Sequence, residues 1–183
     1  DFIANETTLS GDIGIAANHT ANSYHVLLAS GAVGNAGIDG FTITRGQADV
    51  NTNYTLNGNI IYRDYGAGIY LHSSSPVLSH CQFKNNYALD NGGALAALSS
   101  NIPMSKTLFS LNTTGKNGGG VYFQNCSSNI RTTTFSNNTV NGPGPNNLGG
   151  GLYAENSTLN VSGSSFMSNT VSNGDGAGVA NEI

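Results

Sequence analysis

Hydrophobic and polar residues alternate along this chain in a unit that occurs four times with nearly constant spacing. Each unit places a Phe three residues before an Asn, among short runs in which apolar and polar residues alternate. The four pairs are Phe83 with Asn86, Phe109 with Asn112, Phe135 with Asn138, and Phe166 with Asn169. Short alternating runs bounded by Gly, Asn and Ser predict β-strands, and no window of the sequence has the apolar stripe of an amphipathic helix.

A glycine-rich cluster that ends in an aliphatic residue follows each pair, and its spacing shows which part of the unit is constant. From the aliphatic residue to the next Phe the distance is always 14 residues: Ile69 to Phe83, Leu95 to Phe109, Val121 to Phe135, and Leu152 to Phe166. From each Phe to the following aliphatic residue it is 12, 12, 17 and 13 residues. Insertions are tolerated where packing does not determine the path, so the constant arc is the predicted scaffold and the variable arc a surface loop.

A unit this short predicts a solenoid, because stacked copies bury apolar residues that a single copy leaves exposed. The period is 26, 26, 31 and 27 residues. We therefore predict an all-β fold, a right-handed parallel β-helix with about 26–31 residues per coil and about 6 coils, extending over residues 1–183. The handedness follows from the general rule for parallel crossovers. We expect two or three short strands in each coil.

Residues at equal offsets should lie on successive coils, roughly 4.8 Å apart. The four Phe of the repeat are predicted to stack in the core, and the four Asn to form a buried ladder at a bend. A buried amide both donates and accepts hydrogen bonds, and Asn tolerates the left-handed backbone conformation expected at the bend. A degenerate upstream copy has Ile43 at the position of the Phe and Gly46 at the position of the Asn. Ile38 and Phe41 occupy its apolar positions five and two residues before Ile43.

The repeated Phe-x-x-Asn, together with Gly-Gly-Ala-Leu at residues 92–95 and Gly-Gly-Gly-Val at residues 118–121, resembles the polymorphic outer membrane protein repeats of chlamydial autotransporter passengers. Residues 9–13, 23–26 and 38–44 look even more like large secreted β-helix proteins of the Bacteroidetes type. The resemblance covers roughly residues 8–180. It implies a secreted or cell-surface β-helix, often an adhesive one, and its motifs are informative about fold rather than activity.

The composition narrows the choice of partners. Only 9% of the residues are charged and the net charge is −4, so a nucleic acid is not expected as a partner. No apolar run is long enough to cross a bilayer, and no cofactor is predicted. The chain begins mid-pattern at Asp1 and closes on a half repeat at residues 181–183, which predicts a segment of a longer protein. End-to-end or side-by-side self-association is one option for its open ends.

The candidate ligand-binding residues are aromatic. Tyr70, Tyr122 and Tyr153 directly follow an inward aliphatic residue, so strand alternation directs them outward. Exposed Tyr rings in a row could stack on sugar rings, and a polysaccharide or cell-surface glycan is the expected ligand. The alternative is an external ladder that packs against itself or under a loop. The predicted inserted surface loop, residues 47–65, could flank this surface with Tyr54, Tyr62 and Tyr65.

Acidic residues offer weaker candidates. Asp64, Asp90 and Lys116 each lie five residues before the aliphatic position, so they could form a carboxylate pair beside a base on successive coils. The other interpretation is solvated acids in turns. Asp49, Asn51 and Asn53 alternate like the start of a calcium loop but lack its Gly and Glu.

The two cysteines belong to different columns, so a disulfide between Cys81 and Cys126 is not expected.

Three functions are compatible with these patterns. The leading hypothesis is a noncatalytic extracellular or cell-surface module, either a glycan-contacting adhesin or a filament or stalk segment. The second is a fragment of a polysaccharide lyase or glycoside hydrolase that uses Asp64 and Asp90. The third is a purely structural spacer.

Overall fold

The computed structural model describes residues 5–15 and 18–182, and nearly all of its regular structure is β-strand. Asp1 and Ile183, which carry the prediction of a longer chain, lie outside these residues. Within the described part there is no α-helix, and none of its helical turns is long and apolar enough to cross a membrane. Strands of 2–5 residues pair in parallel with the matching strands of neighbouring coils. This is the predicted β-helix of about six coils.

Four sheets run along the stack, and a coil contributes at most one strand to each of them. The Tyr sheet contains Leu27–Ser30, Ile69–His72, Leu95–Leu98, Val121–Gln124, Leu152–Glu155 and Val179–Glu182. The Ile sheet contains Gly37–Asp39, Val77–Ser79, Met104–Ser105, Ser127–Arg131 and Thr158–Ser162. The Phe sheet contains Thr7–Ser10, Phe41–Thr44, Gln82–Lys84, Leu108–Ser110, Thr134–Ser136 and Ser165–Met167. The Thr sheet contains Gln47–Ala48, Tyr87–Ala88, Thr113–Thr114, Thr139–Val140 and Thr170–Val171.

Three smaller elements lie outside these sheets. Asn53–Leu56 and Asn59–Tyr62 form an antiparallel hairpin, which we call the docked hairpin. Asn147–Leu148 pairs with Gly174–Asp175 in the variable arc. A 3₁₀ turn occupies His19–Ala21.

Each complete coil thus has four strands rather than the two or three that the alternation predicted. The additional strand is the one in the Thr sheet, which is two residues long and therefore too short to show a period of two. The constant arc contains the strands of the Tyr, Ile and Phe sheets. The variable arc lies between the Thr sheet and the Tyr sheet. Neighbouring coils are joined there by isolated bridges, such as Asn91 to Asn117, and by the short strand pair of Asn147–Leu148 with Gly174–Asp175.

The four Phe side chains of the repeat are stacked along the coil axis. Their backbones are in register, and successive ring centroids lie 4.8, 5.1 and 4.6 Å apart, with interplanar angles of 11°, 9° and 3°. The first three rings are fully buried, whereas Phe166 on the last of these coils is half-buried. The strand of residues 41–44 continues this register with Ile43, and the strand of residues 7–10 adds Leu9 one coil earlier. The core is therefore one continuous column.

The Asn ladder satisfies the backbone at the bend that follows the Phe sheet. In each interior step an Asn side chain accepts from the backbone N–H of the preceding ladder residue, at 3.0–3.1 Å. Its amide nitrogen donates to a carbonyl of the preceding coil, as Asn112 does to Phe83 O at 2.9 Å. Gly46 begins the ladder because a Cβ there would lie 1.9 Å from the carbonyl oxygen of Ala67.

The left-handed conformation lies one residue earlier than predicted. The residues with positive φ at this bend are Arg45, Asn85, Leu111, Asn137 and Ser168, each directly before the ladder position. The ladder Asn is buried and points inward, so its role is hydrogen bonding, and the preceding residue makes the turn. Residue types at this outward position vary widely because solvent accommodates their side chains.

The two cysteines are free and buried. The Cys81 thiol lies 3.3 Å from the carbonyl oxygen of Ile38, and burial raises its pKa. The Cys126 thiol lies 3.2 Å from the carbonyl oxygen of Ala97, and burial raises its pKa as well. Both therefore act as small core residues with a weak S–H donor.

Candidate functional site

The outward column of the Tyr sheet has the predicted register. Tyr70, Ala96, Tyr122, Tyr153 and Ala180 follow one another on adjacent coils. The Tyr122 and Tyr153 rings stack with centroids 5.7 Å apart and an interplanar angle of 23°. A coil that carries Ala separates Tyr70 from Tyr122.

These three tyrosines are nevertheless buried, contrary to the prediction that they form an exposed row. Their relative exposures are 0%, 2% and 3% for Tyr70, Tyr122 and Tyr153. They belong to a second apolar cluster outside the coils, which includes Ile61 of the docked hairpin and Leu148 of the variable arc. The external ladder therefore packs under covering residues instead of forming an open row, although Tyr153 still lines the edge of a surface groove of about 530 Å³.

Hydrogen bonds hold this outer cluster in place. The Tyr70 hydroxyl donates to the carbonyl oxygen of Ile60 in the docked hairpin at 3.0 Å. The hydroxyls of Tyr122 and Tyr153 each donate to a glutamate on the next coil, Glu155 and Glu182, at 2.6 Å. Burial first, and the glutamate beside each hydroxyl second, raise the pKa of Tyr122 and of Tyr153. Both phenols therefore remain protonated donors at physiological pH.

The docked hairpin replaces most of the predicted inserted loop. Gln47 and Ala48, the first two residues of the predicted range, belong to the Thr sheet, because they pair with Tyr87 and Ala88. Tyr62 and Tyr65 stack on each other at 4.8 Å, and Tyr65 meets the Tyr122 ring edge-on at 5.8 Å. These two aromatic residues cover the outer cluster.

The carboxylates of Asp64 and Asp90 do lie on successive coils, although they belong to the variable arc. The Asp90 N–H donates to Asp64 O, and the Lys116 N–H donates to Asp90 O, both at 2.9 Å. Asp64 is only 5% exposed, and Lys116 Nζ is 3.5 Å from Asp90 Oδ1. Neither carboxylate lines any of four surface grooves of 250–560 Å³ among the described residues. The prediction of solvated turn acids is wrong for Asp64, which is enclosed.

Burial shifts the pKa of both carboxyl groups. It raises the pKa of Asp64, which the negative charge of Asp90 raises further, and Asp64 Oδ1 has no partner among the described residues. Burial also raises the pKa of Asp90, against the opposing effect of Lys116. A carboxyl whose pKa is higher in the folded than in the unfolded chain destabilises the fold at pH values above its folded pKa.

We expect Asp64→Asn to raise the free energy of unfolding by about 1 kcal/mol at pH 7. The amide has nearly the same shape as the carboxylate but does not carry its desolvated charge. Since the folded pKa of Asp64 is raised, the penalty in the natural chain decreases as pH falls below the folded pKa, and it is gone below the pKa of the unfolded chain. The gain should therefore shrink from pH 7 to pH 4 in urea unfolding curves. Asp175→Asn, at an exposed acid, is the matched control and should change nothing. A gain that is equal at both pH values would contradict the raised pKa.

The residues of the weak calcium candidate, Asp49, Asn51 and Asn53, are all exposed. Asp49 accepts a hydrogen bond from Gln47 at 3.4 Å, and Asn53 pairs with Tyr62 in the docked hairpin. Within residues 5–15 and 18–182, no group of three or more His, Cys, Asp or Glu side chains is placed to hold a metal ion.

A polar groove of about 410 Å³, which we call the bend groove, lies outside the Asn ladder. Gln47, Tyr87 and Thr113 line it from three successive coils, because they occupy matching positions of the Thr sheet. The other lining residues are His19, Asn22, Arg45, Asn85, Asn86, Leu111 and Asn141. A tyrosine ring and an imidazole among amides, a hydroxyl and a guanidinium provide a chemistry suited to sugar rings and their hydroxyl groups.

The candidate residues of the bend groove were not selected from the sequence. Tyr87 follows Phe83 by four residues, and the same offset holds Gln47, Thr113, Thr139 and Thr170. The signal was therefore present as an outward column of one aromatic and several hydroxyl residues. It becomes a groove only because the chain around residues 19–22 lies beside it.

A second, smaller pocket of about 250 Å³ has aromatic walls, and we call it the Arg63 pocket. Its lining residues are Ser23, Tyr24, His25, Leu28, Tyr54 and Arg63. Tyr54 is 37% exposed and is the predicted ligand-binding tyrosine that remains most accessible.

Comparison with known proteins identifies the fold family of the chain. A family model described as a right-handed β-helix region matches residues 34–182. The match agrees with the predicted handedness of the coils. Neither a curated protein nor a solved structure matches the chain significantly.

Proposed function

We propose, from the premise that this chain belongs to the family of right-handed β-helix regions, that it is a noncatalytic module of a secreted or cell-surface protein that contacts a glycan through the bend groove. The observation that carries the proposal is the lining of that groove by Gln47, Tyr87 and Thr113 on three coils. A ligand made of repeating units suits a surface on which side chains repeat from coil to coil. The resemblance to chlamydial and Bacteroidetes-type surface proteins supports the proposed secreted or cell-surface location.

The groove offers both kinds of contact that a sugar needs. The half-buried Tyr87 ring supplies an apolar face, and amide side chains from Asn22 and Asn141 supply donors and acceptors around it. Arg45 is held by Asp12 through an ion pair of 3.3 Å, so its charge is balanced within the protein. The groove therefore suits a neutral saccharide better than an acidic one.

We expect Tyr87→Ala to weaken binding of a soluble polysaccharide about tenfold, which corresponds to about 1.4 kcal/mol. The physical reason is the loss of the one tyrosine ring that lines the groove. Glycan-array screening of the full chain would identify a ligand, and affinity electrophoresis with that ligand would measure the change. Leu89→Ala is the matched control, because Leu89 is an exposed neighbour that does not line the groove.

Two outcomes would contradict the proposal. Unchanged affinity in Tyr87→Ala would mean that the sugar binds elsewhere. Absence of binding to every glycan tested would favour the purely structural spacer.

A hydrolase or lyase fragment is the second candidate, favoured by the raised pKa values of Asp64 and Asp90. Asp64 is enclosed, and the partly exposed Asp90 is paired with Lys116 and lines none of the four grooves, which argues against access by a polymer. Incubation with neutral and acidic polysaccharides, followed by detection of new reducing ends or unsaturated sugars, distinguishes the two. Products that disappear in Asp90→Asn would replace the noncatalytic proposal by the enzymatic one.

A further inference from the structure

The guanidinium of Arg63 is held between two tyrosine rings. Its Cζ lies 5.6 Å from the centroid of the Tyr24 ring and 5.0 Å from that of the Tyr54 ring. Tyr24 follows the 3₁₀ turn, whereas Tyr54 lies on the first strand of the docked hairpin. The Arg63 backbone N–H donates to Thr52 O at 3.0 Å, which anchors the residue where the hairpin ends. The arrangement therefore depends on the tertiary fold.

Arg63 differs from the other basic residues in its electrostatic surroundings. Arg45, Lys84 and Lys116 form ion pairs with carboxylates, while Lys106 and Arg131 are exposed to solvent. Arg63 is half-buried, and within the described part of the chain no carboxylate oxygen lies within 4.0 Å of it. A partly desolvated charge without a counter-ion costs free energy that cation–π contacts offset only in part.

The donors of this guanidinium are also unused by the described residues. Tyrosine rings interact with a guanidinium through their π faces, so they leave the N–H groups at its edge free. Arginine has five such donors in a planar fork that matches the two oxygens of a carboxylate or sulfate. Within residues 5–15 and 18–182 the fork forms no ion pair, and the hydrogen bond from Arg63 to Thr52 uses the backbone N–H and not the guanidinium.

The remaining walls of the Arg63 pocket carry no charge at neutral pH. His25 Nδ1 lies 3.1 Å from Gly66 O, so this nitrogen carries the hydrogen and donates it. The ring packs against Tyr70 with centroids 5.2 Å apart. Burial, and to a lesser extent the charge of Arg63, lower the pKa of His25 to about 4. The pocket therefore has one positive charge and no acid among its lining residues.

We propose that the Arg63 pocket binds an oxyanion, the carboxylate or sulfate group of an acidic saccharide, through the edge of the guanidinium. The two tyrosines orient the fork, and the 250 Å³ volume accommodates a group of about one sugar ring. This site goes beyond the bend groove. The two share no lining residue, so either can fail without the other.

The test is calorimetric titration of the full chain with sodium glucuronate, glucose and sodium sulfate at low ionic strength. We expect saturable binding of glucuronate, at least tenfold weaker binding in Arg63→Gln, and weak or no binding of glucose. Arg131→Gln is the matched control, because it removes an exposed arginine. Arg63→Lys keeps the charge without the planar fork, and should lose most of the affinity while a normal thermal melt reports an intact fold.

The sulfate titration separates the two sources of the anion. Sulfate that binds as tightly as glucuronate would support a site for the oxyanion alone, and tighter glucuronate would support a site that also contacts the sugar. Glucose that binds as tightly as glucuronate would overturn the proposal. So would unchanged glucuronate affinity in both Arg63 variants, or the absence of saturable binding of any of the three probes.

Discussion

Replacing Asn112 by Ala is expected to lower the free energy of unfolding by about 4 kcal/mol, since it leaves several buried polar groups without partners at about 1–3 kcal/mol each. Asn112 is fully buried in the middle of the ladder. Its Oδ1 accepts from the backbone N–H of Asn86 at 3.1 Å and from the side-chain amide of Asn86 at 3.0 Å. Its Nδ2 donates to Phe83 O and to Asn138 Oδ1, both at 2.9 Å.

Chemical unfolding followed by circular dichroism measures this loss. Asn129→Ala is the matched control, because Asn129 is an exposed amide on an Ile-sheet strand, and its replacement should change stability by no more than about 0.5 kcal/mol. Equal stability of Asn112→Ala and Asn129→Ala would contradict the prediction, because it would mean that the hydrogen bonds of the ladder do not stabilise the fold.

Phe109→Ala is expected to destabilise the protein by about 4 kcal/mol, within the range observed for large-to-small replacements of buried aromatic residues. The Phe109 ring is fully buried and stacks on both Phe83 and Phe135. Removing it opens a cavity between two rings whose positions are set by their own coils. Coils pair through backbone hydrogen bonds, so the neighbours have little freedom to close the gap.

The effect should depend on position in the stack. Phe166 has one ring neighbour, at 4.6 Å, and is half-buried, so Phe166→Ala should cost less than Phe109→Ala in the same unfolding experiment. Phe109→Leu retains most of the apolar volume and should cost about 1–2 kcal/mol. Equal losses for Phe109→Ala and Phe166→Ala would contradict a core in which the stack itself contributes.

Offsets within the repeat predicted much of the fold. The 14-residue interval from the aliphatic residue to Phe placed Ile69, Leu95, Val121 and Leu152 in one column, which is the register of the Tyr sheet. Leu78, Met104 and Ile130, each five residues before a Phe of the repeat, likewise share one column of the Ile sheet. Constant spacing carries this information because each coil contacts only its neighbours, so equal offsets mean adjacent positions.

The repeat offsets did not predict the Thr sheet or the docked hairpin, for two different physical reasons. Two-residue strands such as Tyr87–Ala88 have no alternation to detect. The docked hairpin occurs once, so there is no second copy with which to compare its spacing. Its antiparallel strands join Asn53–Leu56 to Asn59–Tyr62 through Asn57 and Gly58, both with positive φ, a turn signal that lay within the predicted loop.

For the candidate site, the sequence predicted the orientation of side chains but not their exposure. Outward orientation of Tyr70, Tyr122 and Tyr153 followed from alternation, but their exposure did not, because exposure depends on what lies over the sheet. The Arg63 pocket was even less accessible to prediction. It joins Tyr24, which follows the 3₁₀ turn, to Tyr54 and Arg63 at the docked hairpin.

The sequence by itself determined the coil, its register, its Phe stack and its Asn ladder, because these are nearest-neighbour interactions that a repeat writes once per period. Only the tertiary structure decided which outward surface is covered and which is open. The docked hairpin, through Ile61, and the variable arc, through Leu148, cover the Tyr column, because these apolar side chains and the tyrosines leave water together. These non-repeating segments move the candidate contacts from the predicted column to Tyr87 in the bend groove and Arg63 in its pocket.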